Sequence, residues 1–249
     1  MISKKQIKQN LIFYEKNIWL EMKSVVIPAY NEEKNIKKIV ESLLELGDLE
    51  IIISDDGSTD RTREIAQKLA RKYPAVFLTS DVNKGKGAAL KRGFKISRGE
   101  VLGFLDADMS AHPSEIMKLF KEIERGVDLA IGSRDLQDSV VPIKQPYHRR
   151  VLGTIYSIIA RKLFNIDVRD FQCGCKAFKR EVWERVKVKS DGYTFDTELI
   201  AKAHALGFKI KEVPITWRDS AESKVNLLKD PLSMMLDLFR IRREVDGYR

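Results

Sequence analysis

LGFLDADMSAHPSEI, residues 102–116, is the stretch whose reading decides the fold. It begins as an apolar run of strand type and ends in Asp106-Ala107-Asp108, with a helix expected over 113–125. Side chains two apart on a strand share a face, so both carboxylates leave the strand's carboxyl end together. Such a pair suits a hard cation, Mg²⁺ or Mn²⁺, that keeps water or a substrate's phosphates in its other positions. Asp-x-Asp alone also describes an ordinary solvated loop, so its surroundings must decide.

Outward from that stretch, strands and helices alternate. Residues 24–30 (SVVIPAY), 50–54 (EIIIS), 75–79, 100–105 and 129–132 read as short buried strands. Between them lie helical patterns, the first with Ile36, Ile39, Val40, Leu43 and Leu44 at helical spacing after a cap at Asn31. A second helix begins at Asp60, and a third runs from Ala88 to about Ser97 behind a basic glycine loop, residues 83–87. This alternation over 24–132 predicts an α/β fold, a parallel sheet with helices on both faces. Ligands of such sheets sit outside the carboxyl ends of the strands. Pro28-Ala29-Tyr30, Asp55-Asp56, Asp106-Ala107-Asp108 and Ser133-Arg134 all fall there.

The second half reads differently. Residues 135–149 are a proline-bearing loop, and 150–166 an amphipathic helix with Leu152, Ile155, Tyr156, Ile159 and Leu163 on its apolar face. Strands are expected at 171–178 and 208–218, a helix at 196–206, and a last amphipathic helix at 231–243 carrying Leu232, Met235, Leu236 and Phe239. Residues 1–23 form an N-terminal extension in which Ile7, Leu11, Tyr14 and Ile18 predict a helix.

Composition narrows the partners. Of 249 residues, 43% are hydrophobic and 33% charged, and the formal net charge of +9 favours an anionic partner: nucleic acid, an acidic membrane surface or a phosphorylated substrate. The aromatic–basic motifs of the usual nucleic-acid modules are missing, so no nucleic-acid partner is expected. Neither GxxxxGK[ST] nor a complete dinucleotide fingerprint occurs, so the glycine loop is no P-loop, although Lys84 and Lys86 remain able to face phosphates. The two cysteines, Cys173 and Cys175, are too close for an ordinary disulfide and lack partners for a zinc site. No signal-peptide pattern and no run of spanning length is expected, the longest apolar stretch being residues 151–160.

The motifs in their order carry more than any one alone. VVIPAYNEEKNI, ISDDGSTDRT, NKGKGAALKRGF, RGEVLGFLDADMSAHP and IGSR together resemble the family 2 glycosyltransferases of GT-A-type, Rossmann-like fold. DFQCGCKAFKREVWE, GYTFDTELIAKAHALGFKIKEVPITW and SKVNLLKDPLSMMLDLFRIR narrow the resemblance to the polyprenol-phosphate branch, the dolichyl-phosphate mannose synthases and glucosyltransferases. It implies a single domain over 24–249, with a nucleotide-sugar half (24–134) and an acceptor half (135–249).

The implied activity is metal-dependent, inverting transfer of a hexose from a GDP-mannose or UDP-glucose type of donor to a polyprenyl (dolichyl) phosphate. By the resemblance, Pro28, Tyr30, Glu32, Ile53 and Asp55 line the nucleotide pocket, and Asp106 and Asp108 hold Mg²⁺ or Mn²⁺. Ala107 touches the ribose or the metal shell through its backbone, and Arg218 and Lys224 close on the diphosphate. Arg134 and Arg150 clamp the acceptor phosphate, whose geometry suits guanidinium forks, and Thr154 lies one helical turn beyond Arg150. Arg149 rivals Arg150 for that role. Asp170 and Asp196 are placed at the acceptor end of the cleft, with Gln172 and Glu198 as further polar candidates; helix capping is a sufficient role for Asp196 or Glu198.

Mannose synthases carry Gln two residues beyond the second Asp, where this chain has Ser110, so the reaction is better specified than the sugar. The two amphipathic helices, flanked by Arg149, Arg150, Arg161, Lys162, Arg240, Arg242 and Arg243, either pack in the core or lie on a bilayer. The resemblance implies a peripheral protein of the cytoplasmic membrane face, or half of a split system with a separate membrane partner. The competing enzyme readings are a glycosyltransferase with a soluble or protein acceptor and a sugar-nucleotide pyrophosphorylase, whose glycine-rich opening segment is missing.

Overall fold

Val25 and Ile27 face one side of the first strand and Val26 the other; Ile51, Ile53 and Ile52 divide in the same way on the second. Strands apolar on both faces must be covered twice, and each fully buried Ile, Leu or Phe contributes about 1.5–3 kcal/mol. The computed structural model describes residues 22–143, 145–219 and 230–248. Among the described residues seven strands form one sheet: β1 (Lys23–Ala29), β2 (Leu49–Asp55), β3 (Val76–Ser80), β4 (Val101–Leu105), β5 (Leu129–Ser133), β6 (Cys175–Lys179) and β7 (Ile210–Pro214). Their order is β3-β2-β1-β4-β6-β5-β7. One face is covered by α1 (Ile36–Leu44), α2 (Thr62–Lys72) and α4 (Glu115–Glu124). The other is covered by α3 (Lys86–Ile96), α5 (Tyr147–Phe164), α6 (Arg180–Val186), α7 (Phe195–Ala205) and α8 (Asp230–Asp246). The short α6 was not expected.

The sheet is mainly parallel, as expected, with one antiparallel strand that the sequence pattern did not show. β6 comes from the second half of the chain and runs antiparallel to both β4 and β5, between which it is inserted. Leu105 therefore lies opposite Cys175, and residues 170–174, which precede β6, arrive at the carboxyl rim beside the aspartates. The Asp106 N–H donates to the Gly174 carbonyl at 2.9 Å. Strand order reverses where β1 is flanked by β2 and β4, the switch point at which open α/β sheets bind ligands.

Several local expectations also change. Asn31 does not cap α1, which begins five residues later; it takes a left-handed φ of 53° and its Oδ1 accepts from the Thr59 N–H at 2.8 Å. The glycine loop packs protein against protein. A Cβ on Gly85 would fall 2.6 Å from the Asp191 carbonyl, and one on Gly87 2.5 Å from that of Ser190. The apolar face of α5 divides: Tyr156, Ala160 and Phe164 are buried, whereas Val151, Leu152, Ile155 and Ile158 are exposed. On α8, Leu238, Ile241 and Val245 are buried and Leu236 and Phe239 exposed; the side chain of Leu232 is outside the described residues, as are residues 1–21. Arg240 bonds to Asp237, Glu244 and Ser190, and Arg242 to Asp246 and the Leu163 carbonyl, while both side chains stay partly exposed. Among the described residues no helix is long and apolar enough to cross a membrane.

Candidate active site

Two adjoining cavities open on the carboxyl rim. The larger, about 360 Å³, is lined by Lys86, Asp106, Asp108, Ser110, Arg149, Tyr156 and Tyr193, with Met234 and Met235 of α8 on one wall. The smaller, about 210 Å³, is lined by Arg150, Thr154, Ser157, Asp135 and Asp170. Arg134, Gln145, Gly153, Gln172 and Trp217 belong to both.

β4 delivers Asp106 into the larger cavity. Gly174 makes the fit possible, since a Cβ there would lie 1.9 Å from Asp106 Oδ2. Met109, with φ 60°, turns the chain after Asp108, whose Oδ1 accepts from the Ser110 N–H at 2.9 Å. Asp106 is not solvated alone. Lys86, first residue of α3, places its ammonium 2.8 Å from Asp106 Oδ1 and 3.0 Å from Oδ2. The same ammonium lies 3.4 Å from Asp196 Oδ2. Asp196, fully buried, pairs in turn with Lys176 at 2.5 Å, whose ammonium also donates to the Cys173 carbonyl at 2.7 Å.

Burial raises the Asp106 pKa to about 6, with Lys86 pulling the other way. Burial also opposes charge on Lys86, but Asp106 and Asp196 outweigh it and raise its pKa. Asp196 thus neither caps α7 nor lines either cavity; it bridges two lysines. Glu198 is also no cap. It is fully buried, accepts from the Lys189 and Ser190 N–H groups and pairs with Lys202.

Arg134, at the end of β5, is gripped by Asp170. Its Nε and Nη2 donate to the two carboxylate oxygens at 2.7 Å each, and its backbone N–H adds a third bond at 3.0 Å. Burial works against both ions, yet each outweighs it for the other, so the Asp170 pKa is lowered and that of Arg134 raised. The guanidinium also lies over the Trp217 ring, 5.0 Å from its centroid. Asp170 therefore acts on the cleft through Arg134. Arg149 and Arg150 take different cavities: Arg149 enters the larger, where its Nε is sealed from solvent with no hydrogen-bond partner among the described residues, and Arg150 the smaller with Thr154. Gln172 Nε2 donates to Thr197 Oγ1 at 2.9 Å, and that hydroxyl shares a 2.7 Å bond with the Tyr156 hydroxyl.

Pro28, Tyr30, Glu32 and Asp55 gather at the carboxyl ends of β1 and β2, and none of them lines either cavity. Pro28 is half-buried and Tyr30 exposed, while Glu32 is buried and accepts from Asn35 Nδ2 at 3.0 Å. Asp55 is fully buried, bonded to the Ser58 N–H at 3.1 Å and to Arg63 Nε at 2.8 Å. Ile53 is not at the rim: its side chain is fully buried in the core cluster of one sheet face. Ala107 is buried behind the aspartates. Arg218 is exposed and held by its N–H to the Ser110 carbonyl at 2.9 Å, with its side chain outside both cavities; Lys224 lies outside the described residues. Cys173 and Cys175 are buried, and burial pushes both thiols up, that of Cys173 to about 12, which disfavours the thiolate.

Among the described residues no group of three or more His, Cys, Asp and Glu side chains is placed to enclose a metal. Asp106 and Asp108 nevertheless fit a cation shared with a ligand's phosphates, the usual habit of Mg²⁺. Asp106 Oδ1 is sealed from solvent and lacks a hydrogen bond of good geometry among the described residues, which leaves it a lone pair for such an ion.

Residues 24–187 match the model of the family described as Glycosyl transferase family 2. The chain belongs to this family. Among its relatives, glycosyltransferase AglD of Haloferax volcanii is 35% identical over 228 residues, 87% of this chain and 36% of that protein. The dolichol-phosphate mannosyltransferase of Pyrococcus furiosus is 35% identical over 209 residues, 81% of this chain and 58% of that one. A dolichyl-phosphate beta-glucosyltransferase of Trichomonas vaginalis is 30% identical over 238 residues, 88% and 72% of the two chains. This chain thus spans only 36% and 58% of the first two relatives. The family fold agrees: glucosyl-3-phosphoglycerate synthase from Mycobacterium tuberculosis, solved with Mn²⁺ and UDP-glucose, superposes with a TM-score of 0.69 at 23% identity, covering 91% of this chain and 79% of that chain.

The sequence alone did not single out the bridge from Lys86 through Asp196 to Lys176. A lysine in the middle of the strand pattern CKAFK was the available signal, since a buried ammonium requires a partner. Gly174, Thr197 and Trp217 were missed as well, because their importance comes from what folds against them.

Proposed function

We propose that this glycosyltransferase moves one hexose, with inversion, from a nucleotide-diphosphate sugar of the GDP-mannose or UDP-glucose type to a polyprenyl (dolichyl) phosphate. The observation that carries the reading is the pair of joined cavities. One holds the carboxylates Asp106 and Asp108, the other holds Arg150 and Thr154, and Arg134 stands on the shared wall. A cation-bridged diphosphate fits the first and a phosphate monoester the second. The dolichol-phosphate mannosyltransferase and dolichyl-phosphate beta-glucosyltransferase among the relatives support mannose or glucose as the sugar and a dolichyl phosphate as the acceptor.

In this reading Asp106 and Asp108 hold Mg²⁺ or Mn²⁺, which when bound supplies Lewis-acid stabilisation of the departing nucleoside diphosphate. Tyr30, Pro28, Glu32 and Asp55 flank the nucleoside, with Ala107 beneath it. β2 and β4 stand two strand spacings apart, roughly 10 Å, so a nucleotide laid across the rim runs from Asp55 to Asp106. Arg150, Thr154 and Arg134 align the acceptor phosphate. One of its oxygens bonds to the anomeric carbon as the bond from that carbon to the diphosphate breaks. The acceptor is already anionic, so no general base is needed, and a single displacement inverts the configuration. Catalysis is then positioning and charge stabilisation. Arg218 and Lys224 close over the diphosphate. Asp170 and Asp196 are positioning residues, acting through Arg134 and Lys86.

The lipid acceptor places the protein on a membrane surface, at the cytoplasmic face where nucleotide sugars are found, alone or with a separate membrane protein. The exposed Leu152, Ile155, Leu236 and Phe239 sit on the helices that wall the larger cavity, and an apolar surface there suits entry of a polyprenyl chain. A donor screen tests the reading: GDP-mannose, UDP-glucose and UDP-N-acetylglucosamine, each with Mn²⁺ and dolichyl phosphate in vesicles. Radiolabelled hexose entering the lipid phase from one donor is expected. Transfer only to a soluble phosphorylated acceptor would refute the lipid half of the proposal.

A further inference from the structure

Asp106, Lys86, Asp196 and Lys176 form a line of alternating charges running from the cleft into the core. The inner end is pinned: Lys176 is fully buried and bonded to the Phe171 and Cys173 carbonyls besides Asp196. The outer end is not. Lys86 is the one cation of the line that reaches the cavity, on a flexible stem, and its side chain is 13% exposed. It covers both oxygens of Asp106, a carboxylate the donor reading needs for a divalent ion. Among the described residues neither Asp106 Oδ1 nor Asp196 Oδ2 has a hydrogen bond of good geometry, so the ammonium holds both by charge more than by fit. The Phe104 ring lies 5.4 Å from the Lys86 ammonium and 5.5 Å from that of Lys176, so both cations also rest on an aromatic face.

We propose that Lys86 is a resident counter-cation that occupies Asp106 in the free enzyme and passes to the donor's diphosphate when a divalent metal takes the carboxylate. The inference rests on the donor-site reading above and adds a consequence to it. A divalent ion alone must settle beside an ammonium and is repelled. A divalent ion arriving with a diphosphate brings the negative charge that both cations share. Metal and nucleotide therefore bind with strong mutual dependence, and Lys86 is its source. Asp196, anchored by Lys176, keeps the ammonium within reach of both positions.

The test is Mn²⁺ binding followed by electron paramagnetic resonance, without nucleotide and with UDP or GDP, for the wild type, Lys86→Met and Lys86→Gln. The glutamine variant keeps a hydrogen-bonding head over Asp106 while losing the charge, and thermal melts establish that each variant is folded. In the wild type, Mn²⁺ is expected to bind at least about tenfold more tightly with nucleoside diphosphate than without. Without nucleotide, both variants should bind Mn²⁺ about tenfold or more tightly than the wild type, and their affinity for the nucleoside diphosphate should fall by a similar factor. Unchanged or weaker Mn²⁺ binding in the variants overturns the inference and leaves the donor site standing. So does equal wild-type Mn²⁺ affinity with and without nucleotide. A wild type that binds no nucleoside diphosphate even with Mn²⁺ overturns the donor-site reading and this inference with it.

Discussion

Replacing Gly174 by Ala should disable the site through a single methyl group. A Cβ at this position lies 1.9 Å from Asp106 Oδ2 and 2.2 Å from its Cγ. Restoring ordinary contact requires the carboxylate to retreat by about 1.5 Å, because interiors are too closely packed for the clash to be absorbed elsewhere. Gly174 cannot easily move instead: its carbonyl accepts the Asp106 N–H, and Cys175 directly after it is in register with Leu105. The displaced carboxylate loses its geometry toward Lys86 and toward any cation shared with Asp108. Misplacement of about 1 Å costs about 100-fold in rate. The expected result is a fall of that order in kcat/KM for hexose transfer, with weaker Mn²⁺-dependent nucleotide binding and a stability loss of about 1–3 kcal/mol from overpacking. Gly132→Ala is the comparator, since its Cβ would press on the Cys175 carbonyl at 3.0 Å and Cys173 Sγ at 3.2 Å without touching Asp106. A folded Gly174→Ala enzyme with kcat/KM within about threefold of wild type would refute the reasoning.

Glu198→Gln tests the buried network that joins α7 to α8. Burial opposes the Glu198 charge, but Lys202, Ser190 and two backbone N–H groups outweigh it and lower its pKa from 4.5 to about 2. A depressed carboxylate stabilises the fold above its unfolded pKa and loses that contribution as pH falls through the folded value. The variant should therefore be about 3 kcal/mol less stable at pH 7 and only about 1 kcal/mol less stable at pH 3, measured by urea denaturation; a pH-independent difference would contradict this. Asp170→Asn should release the Arg134 fork and lower kcat/KM with lipid acceptor about tenfold or more, and an unchanged value would remove Asp170 from the positioning role. Phe239→Ser and Leu236→Ser, at residues 58% and 66% exposed, should each weaken binding to anionic vesicles about tenfold while leaving the thermal melt in place. Undiminished sedimentation with vesicles would place the membrane contact elsewhere.

The parts of the fold legible in the sequence were those written in local pattern. Apolar runs ending in Asp55, Asp106 and Ser133 marked both the strands and the rim they share. The direction of β6 was not legible, because CKAFK reads alike in either orientation and only its pairing with β4 and β5 sets it. The faces of α5 and α8 were visible as amphipathic, but periodicity does not say where the core ends. Tyr156 and Leu152 lie on one sequence stripe and on opposite sides of that limit. At the site, the aspartates and arginines could be named from their motifs, whereas the partners that occupy them could not. Asp55 with Arg63, Asp170 with Arg134 and Asp196 between Lys86 and Lys176 are pairings made by tertiary approach. Lys86 shows the limit most clearly, since a lysine in a glycine loop reads alike whether it is solvated or sealed over a carboxylate.

The central claim is metal-dependent transfer of hexose to a lipid phosphate at Asp106 and Asp108. Its most direct test is transfer of radiolabelled hexose to dolichyl phosphate by the wild type and by Asp108→Ala, each with Mn²⁺ and with a chelator in its place. The account predicts lipid-linked product from the wild type with Mn²⁺, none when the metal is chelated, and none from Asp108→Ala under either condition. Full activity of Asp108→Ala, or transfer that is indifferent to the chelator, would contradict it.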